Sequence, residues 1–151
     1  MSTEILFYHL QSQPLERVLP TLLQRSRERG WKVAVETSSP ERVSALDDHL
    51  WAYADDAFLP HGTDQEPEAA NQPILLTTGA ANVNNAAIRF CVDGARIPDA
   101  LDGYERIVLM FDGDDPDALA KAREDWKRLK AAGQAATYWQ QDENGRWEKK
   151  A

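Results

Sequence analysis

The sequence predicts an α/β fold: a single domain over residues 1–151, with a mostly parallel sheet, helices on both faces and a C-terminal β-hairpin. Three observations predict it. Short apolar runs typical of buried strands alternate with segments whose apolar residues recur at helical spacing. Glycine and proline mark the boundaries between these segments. The 151 residues, 42% hydrophobic and 28% charged, have the size and composition of a domain that needs no disulfide or metal to fold.

The first predicted unit is a strand followed by a helix. Residues 4–9 are apolar on both faces, which favours a strand in the middle of the sheet. Leucine and valine recur at helical spacing after Pro14, and this pattern ends at Gly30, a residue that suits the end of a helix. Pro20 lies inside the pattern, so the sequence leaves open whether the helix begins or kinks there.

Two strands and a second helix are predicted next. Residues 31–35 are rich in β-branched side chains and predict the second strand, and residues 74–77 predict the third. Between them, Ser39 suits a helix cap and Pro40 suits the first helical turn. Residues 63–71 are polar and acidic, which predicts a loop before the third strand.

The clearest helix of the chain lies in its second half. Two apolar runs, residues 88–92 and 107–111, predict the strands that precede it. Asp115 can cap the helix, Pro116 occupies its first position, and Gly133 follows its end. This combination of start and stop signals predicts a helix of about four turns.

The last predicted element is a β-hairpin. A turn signal at residues 142–145 separates two short strand-like segments, residues 135–140 and 146–148. The preceding order of strands and helices favours parallel pairing, because strand–helix–strand units return the chain in the same direction. The hairpin therefore adds an antiparallel end to a mostly parallel sheet.

Composition restricts the possible environments and partners. The formal net charge of −8 disfavours direct binding to bare DNA or RNA, whose phosphates would be repelled. Cys91 is the one cysteine and lies in an apolar run, so a buried structural thiol is favoured over a reactive one. No segment resembles a signal peptide or a membrane span, so we expect a cytoplasmic protein without a membrane partner.

Common catalytic motifs do not occur in the sequence. It contains neither a glycine-rich phosphate loop nor a G-x-S-x-G elbow. His9, His49 and His61 are widely spaced, which favours ordinary packing or surface roles over a metal site. We therefore expect no catalytic residue, no cofactor and no bound metal.

The most enzyme-like feature is the carboxylate cluster Asp112, Asp114 and Asp115. Acidic residues at the end of a strand bind metals in many α/β enzymes, so a metal-dependent phosphotransferase or hydrolase is the alternative function. A calcium loop does not fit, because Asp117 stands where glycine is required and Arg123 where glutamate is required. A tight turn followed by a helix cap is the favoured interpretation.

One face of the last predicted helix combines three bases with an aromatic ring: Arg123, Trp126, Lys127 and Lys130. Basic side chains around an aromatic ring suit an acidic ligand with an apolar or carboxylate end. A solvated face with Trp126 turned into the core explains the same residues, so both interpretations stay open. Single-stranded nucleic acid is a further possible ligand, which the acidity of the chain and the lack of a row of aromatic residues disfavour.

Several segments, in their order and spacing, resemble the chi subunit of the bacterial DNA polymerase III holoenzyme (the HolC family) over essentially the whole chain. They are ILFY at 5–8, LDDHLW at 46–51, FLPH at 58–61, AREDWK at 122–127 with the helix end at 132–133, and ATYW at 136–139. The chain departs from the best-known enterobacterial pattern in a longer loop after Gly79 and in its extension past Trp139.

The resemblance implies a Rossmann-like accessory subunit of the polymerase without activity of its own, associated with the clamp loader. It implies two protein partners. One is the C-terminal tail of single-stranded-DNA-binding protein, which ends in aspartates, proline and a phenylalanine carboxylate. The other is the psi subunit, which links chi to the clamp loader. Phe58 would belong to the psi-facing surface, with a core role as the alternative.

The resemblance also implies which residues hold the tail. Arg123 and Lys127 would bind its charges. Trp126 and Trp51 would form apolar walls of the tail site. Lys130 and Tyr138 would lie at its rim.

Overall fold

The computed structural model describes residues 3–11, 13–52, 60–101 and 103–151. Its helices within these residues are α1 (Leu15–Glu28), α2 (Pro40–Ala52) and α3 (Pro116–Ala131), with a 3₁₀ turn at Ala69–Asn71. Its strands are β1 (Glu4–Leu10), β2 (Val33–Glu36), β3 (Gly62–Thr63), β4 (Ile74–Thr77), β5 (Ile88–Cys91), β6 (Arg106–Asp112), β7 (Ala136–Gln141) and β8 (Trp147–Lys149). The predicted α/β class is confirmed.

The described strands form one sheet in the order β3-β4-β2-β5-β6-β1-β7-β8. Neighbouring strands are parallel except β7 and β8, which form the predicted antiparallel hairpin. β1 lies between β6 and β7, as its apolar residues on both faces predict. The predicted loop at residues 63–71 contains the end of β3 and the 3₁₀ turn, which are too short to leave a periodic pattern in the sequence.

The two faces of the sheet are covered by different helices. Leu6 of β1 packs in the cluster that contains Leu19 of α1 and Leu46 of α2. The next residue, Phe7, points to the opposite face and packs in the cluster that contains Leu129 of α3. α3 therefore covers β6 and β7 and the strand β1 between them.

Start and stop signals of the helices agree with the prediction. The carboxylate of Asp115 accepts hydrogen bonds from the backbone N–H groups of Asp117 and Ala118 and so caps α3. Gly133 follows the helix with a φ of +77°, a conformation that glycine adopts without strain. α1 begins at Leu15 and continues through the buried Pro20, which settles the start that the sequence left open.

β5 directs a charged residue and a thiol into the α3 side of the sheet. Cys91 is fully buried, which confirms the predicted burial of this thiol, and burial raises its pKa to about 12. Arg89 is also fully buried, and its guanidinium donates hydrogen bonds to the carboxylate of Glu36, the carbonyl of Gly79 and the hydroxyl of Tyr104. The sequence pattern does not predict this ion pair.

No helix in the described part of the chain is both long enough and apolar enough to cross a bilayer.

Candidate functional site

The outer face of α3 carries three exposed cations: Arg123, Lys127 and Lys130. Their spacing places them along one side of the helix, as predicted. Within the described residues none of the three forms an ion pair. The Lys130 ammonium lies 4.8 Å from the centre of the Trp126 ring. This face of α3, which we call the basic face, therefore carries positive charge that the fold itself leaves unused.

Trp126 and Tyr138 form the apolar part of the same surface. The Trp126 ring meets the ring of the buried Phe7 edge-on at 5.3 Å and the ring of Tyr138 edge-on at 5.9 Å. Both Trp126 and Tyr138 are half-buried. Trp126 thus packs against the core with one side of its ring and reaches the surface with the other. The sequence left open whether Trp126 belongs to the core or to a ligand site, and its position is compatible with both.

His9 adds a residue that sequence reasoning did not assign to the site. Its Nδ1 lies 2.7 Å from the Tyr138 hydroxyl, and its ring lies 5.1 Å from that of Phe111. Gly113 is so close that a methyl group there would overlap the His9 ring. Side chains alternate between the two faces along β1, which places His9 on the side of α3. Its partner Tyr138 lies 129 residues away on β7, so no local sequence pattern indicates this contact.

The charge of Arg123 acts on both His9 and Tyr138. Burial lowers the pKa of His9, and the charge of Arg123 lowers it further, whereas Asp114 and Asp112 oppose these effects. Burial raises the pKa of Tyr138, and Arg123 partly offsets that increase. Arg123 therefore projects positive potential onto both side chains, which a bound carboxylate would neutralise.

Stability is expected to decrease on acidification through His9. Its folded-state pKa is lower than its unfolded value, so the unfolded chain binds the proton more readily, and stability is lost as the pH falls through this window. Urea unfolding at pH values of about 7.5 and 5.5, on either side of the ordinary histidine pKa, is expected to show a larger loss for wild type than for His9→Gln. Equal losses would contradict this assignment.

The opposite side of α3 is neutralised by internal ion pairs. Asp125 is buried and accepts hydrogen bonds from Arg96 at 2.7 Å and Arg128 at 3.4 Å. Arg128 also pairs with Asp99 at 2.7 Å. The bases on this side therefore serve the fold, in contrast to those of the basic face.

The predicted role of Trp51 as an apolar wall beside Trp126 stays a prediction, and Trp51 lies on a different helix from the basic face. Trp51 is in the last turn of α2 and is 58% exposed, and its ring stacks on that of His61 at 4.2 Å. α2 and α3 cover opposite faces of the sheet. Phe58, predicted for the psi-facing surface, lies outside the described residues.

Asp112 and Asp115 of the aspartate cluster accept hydrogen bonds from nearby backbone N–H groups. One Asp112 carboxylate oxygen accepts a hydrogen bond from the Asp114 N–H at 2.9 Å, and Asp115 caps α3. Among the described residues no group of three or more His, Cys, Asp or Glu side chains has an arrangement that could hold a metal ion. This geometry fits the turn-and-cap interpretation of the cluster.

Comparisons with known proteins point to one family. The sequence model of the family described as DNA polymerase III chi subunit, HolC, matches residues 1–137. A curated relative from Rickettsia prowazekii (strain Madrid E), named probable DNA polymerase III subunit chi, is 23% identical over 111 residues, which is 70% of this chain and 67% of the relative. The family match includes the whole basic face and ends just before Tyr138.

Proposed function

We propose, because this chain belongs to the DNA polymerase III chi subunit family, that it acts as a non-catalytic adaptor in DNA replication. In this proposal the basic face of α3 binds the acidic C-terminal tail of single-stranded-DNA-binding protein. A second surface binds the psi subunit, which connects the chain to the clamp loader.

The observation that carries the proposal is the set of cations without an ion-pair partner, within the described residues, beside the half-buried rings of Trp126 and Tyr138. In a protein of net charge −8, Arg123, Lys127 and Lys130 are exposed and free of ion pairs within the described residues. Surface cations without a structural partner are available to a ligand, and cations grouped around Trp126 favour a ligand that is both anionic and aromatic.

The chemistry of the tail matches this surface. Its aspartates and terminal carboxylate are acceptors for the guanidinium of Arg123 and the ammonium of Lys127, and a guanidinium can hold a carboxylate with two parallel hydrogen bonds. Its phenylalanine ring is apolar and can pack against the half-buried rings of Trp126 and Tyr138. Lys130, over the Trp126 ring, would lie at the rim of the bound tail.

Exposed Trp51 supports a second partner surface. A large aromatic side chain that is 58% exposed is unusual on a surface that contacts only water, and aromatic residues are enriched at the centres of protein interfaces. Trp51 and the basic face lie on opposite layers of the molecule. We therefore infer that psi docks around Trp51, where it would leave the tail site free.

Calorimetric titration with a peptide that copies the last residues of single-stranded-DNA-binding protein tests the proposal. We expect micromolar binding at low salt. Affinity should fall several-fold when salt is raised from about 50 to about 300 mM, because exposed charge pairs are screened. A peptide with asparagine in place of each aspartate is the matched control and should bind more weakly. No binding of the acidic peptide at low salt would reject the proposed function.

A further inference from the structure

We propose that β8 forms the second wall of the tail-binding surface and that Lys150 is a tail-binding residue. This inference rests on the proposed function and adds to it a contact that the family match, which ends at residue 137, does not include.

The register of the hairpin places Lys150 on the same side of the sheet as α3. Gln140 pairs with Glu148, and Trp139 pairs with Lys149, so Lys150 follows opposite Tyr138. Residues that face each other across two strands point to the same side of a sheet. Lys150 therefore lies beside Tyr138, on the side where Tyr138 contacts Trp126 of α3.

A β-bulge holds Lys150 at this position. The backbone N–H groups of Lys150 and Ala151 both donate to the carbonyl of Tyr138, at 2.7 and 3.4 Å, and the Tyr138 N–H donates to the carbonyl of Ala151 at 3.2 Å. Two residues thus oppose one, an arrangement that commonly re-aims side chains next to functional sites. These backbone hydrogen bonds consequently fix the segment of Lys150 next to Tyr138, whose ring belongs to the proposed site.

Charge complementarity identifies the occupant as the acidic tail. The Lys150 ammonium lies 3.0 Å from a Glu148 carboxylate oxygen, and both side chains are about half exposed, at 49% and 51%. An exposed ion pair of this kind is weak, so an incoming carboxylate can compete for Lys150. With Arg123, Lys127 and Lys130 on α3, Lys150 places a cation on the far side of the Tyr138 ring. Glu148 is an acidic group of β8 that would oppose the tail.

The test uses three variants of the full chain and the same peptide titration. Lys150→Gln is expected to weaken binding about threefold, the range of a partly exposed ion pair. Lys149→Gln removes the same charge on the opposite side of the sheet, beside Trp139, and is expected to leave the affinity unchanged. Glu148→Gln is expected to tighten binding about twofold, because it frees Lys150 and removes a repulsive charge.

The outcomes separate this inference from the proposed function. If wild type binds the peptide and Lys150→Gln weakens binding no more than Lys149→Gln does, β8 is not a wall of the site, while the proposed function stands. The same conclusion follows if Glu148→Gln binds less tightly than wild type. Failure of the wild-type protein to bind the peptide at all would reject the proposed function, and with it this inference.

Discussion

Replacement of Arg89 with methionine is expected to lower the free energy of unfolding by about 3–5 kcal/mol. Arg89 is fully buried in β5, and its guanidinium neutralises the carboxylate of Glu36, whose side chain is 13% exposed. Methionine fills a similar volume but leaves that carboxylate without a counterion in a poorly solvated place. It also removes the donors to Tyr104 and Gly79. Urea unfolding of the two proteins measures the difference.

Two further proteins show whether the loss comes from the uncompensated charge. Removing both partners, as Arg89→Met with Glu36→Met, is expected to recover most of the lost stability, because neither charge of this pair is then left without its partner. Arg106→Met is the matched control, since Arg106 pairs with Glu4 at 2.6 Å between neighbouring strands at partly exposed positions. That exposed pair is expected to contribute less than about 1 kcal/mol. A single Arg89 variant no less stable than the Arg106 variant would contradict this account.

The elements could be predicted from the sequence because local signals determine them. Apolar runs along β1 and β6, the cap at Asp115 and the stop at Gly133 each act within a few residues of the element they define. The parallel order follows from the alternation of strands and helices, and the hairpin follows from its turn signal. The basic face belongs to the same class of prediction, since helical spacing alone aligns Arg123 with Lys127.

Contacts between distant parts of the chain could not be predicted in this way. His9 and Tyr138 meet only because β1 and β7 are neighbours in the sheet, and Arg89 finds Glu36 because β5 pairs with β2. The position of Trp51 relative to Trp126 is of the same kind, because spacing along the chain does not reveal which face of the sheet a helix covers. The order of the strands in the sheet, which local patterns do not reveal, decides which side chains share a surface.

Replacement of Arg123 with alanine is expected to weaken binding of the acidic tail tens-fold. Loss of a hydrogen-bonded charge contact to a carboxylate costs on the order of 2 kcal/mol, which is about a thirtyfold change in affinity. Arg123 is exposed and free of ion pairs within the described residues, so the variant should unfold at the same temperature as wild type. Calorimetric titration of the folded variant then measures the contact itself.

Lys121→Ala and Arg123→Lys make the result specific to the proposed geometry. Lys121 is an exposed base two residues earlier on α3, and residues at that spacing point to different sides of a helix, so its loss should leave the affinity nearly unchanged. Lysine in place of Arg123 keeps the charge but loses the paired hydrogen bonds, so an intermediate affinity is expected. Equal losses for Lys121→Ala and Arg123→Ala would mean that the tail senses only the summed charge of α3. Wild-type affinity in Arg123→Ala would place the tail site away from the basic face altogether, because no other residue of that face can hold a carboxylate with two parallel hydrogen bonds.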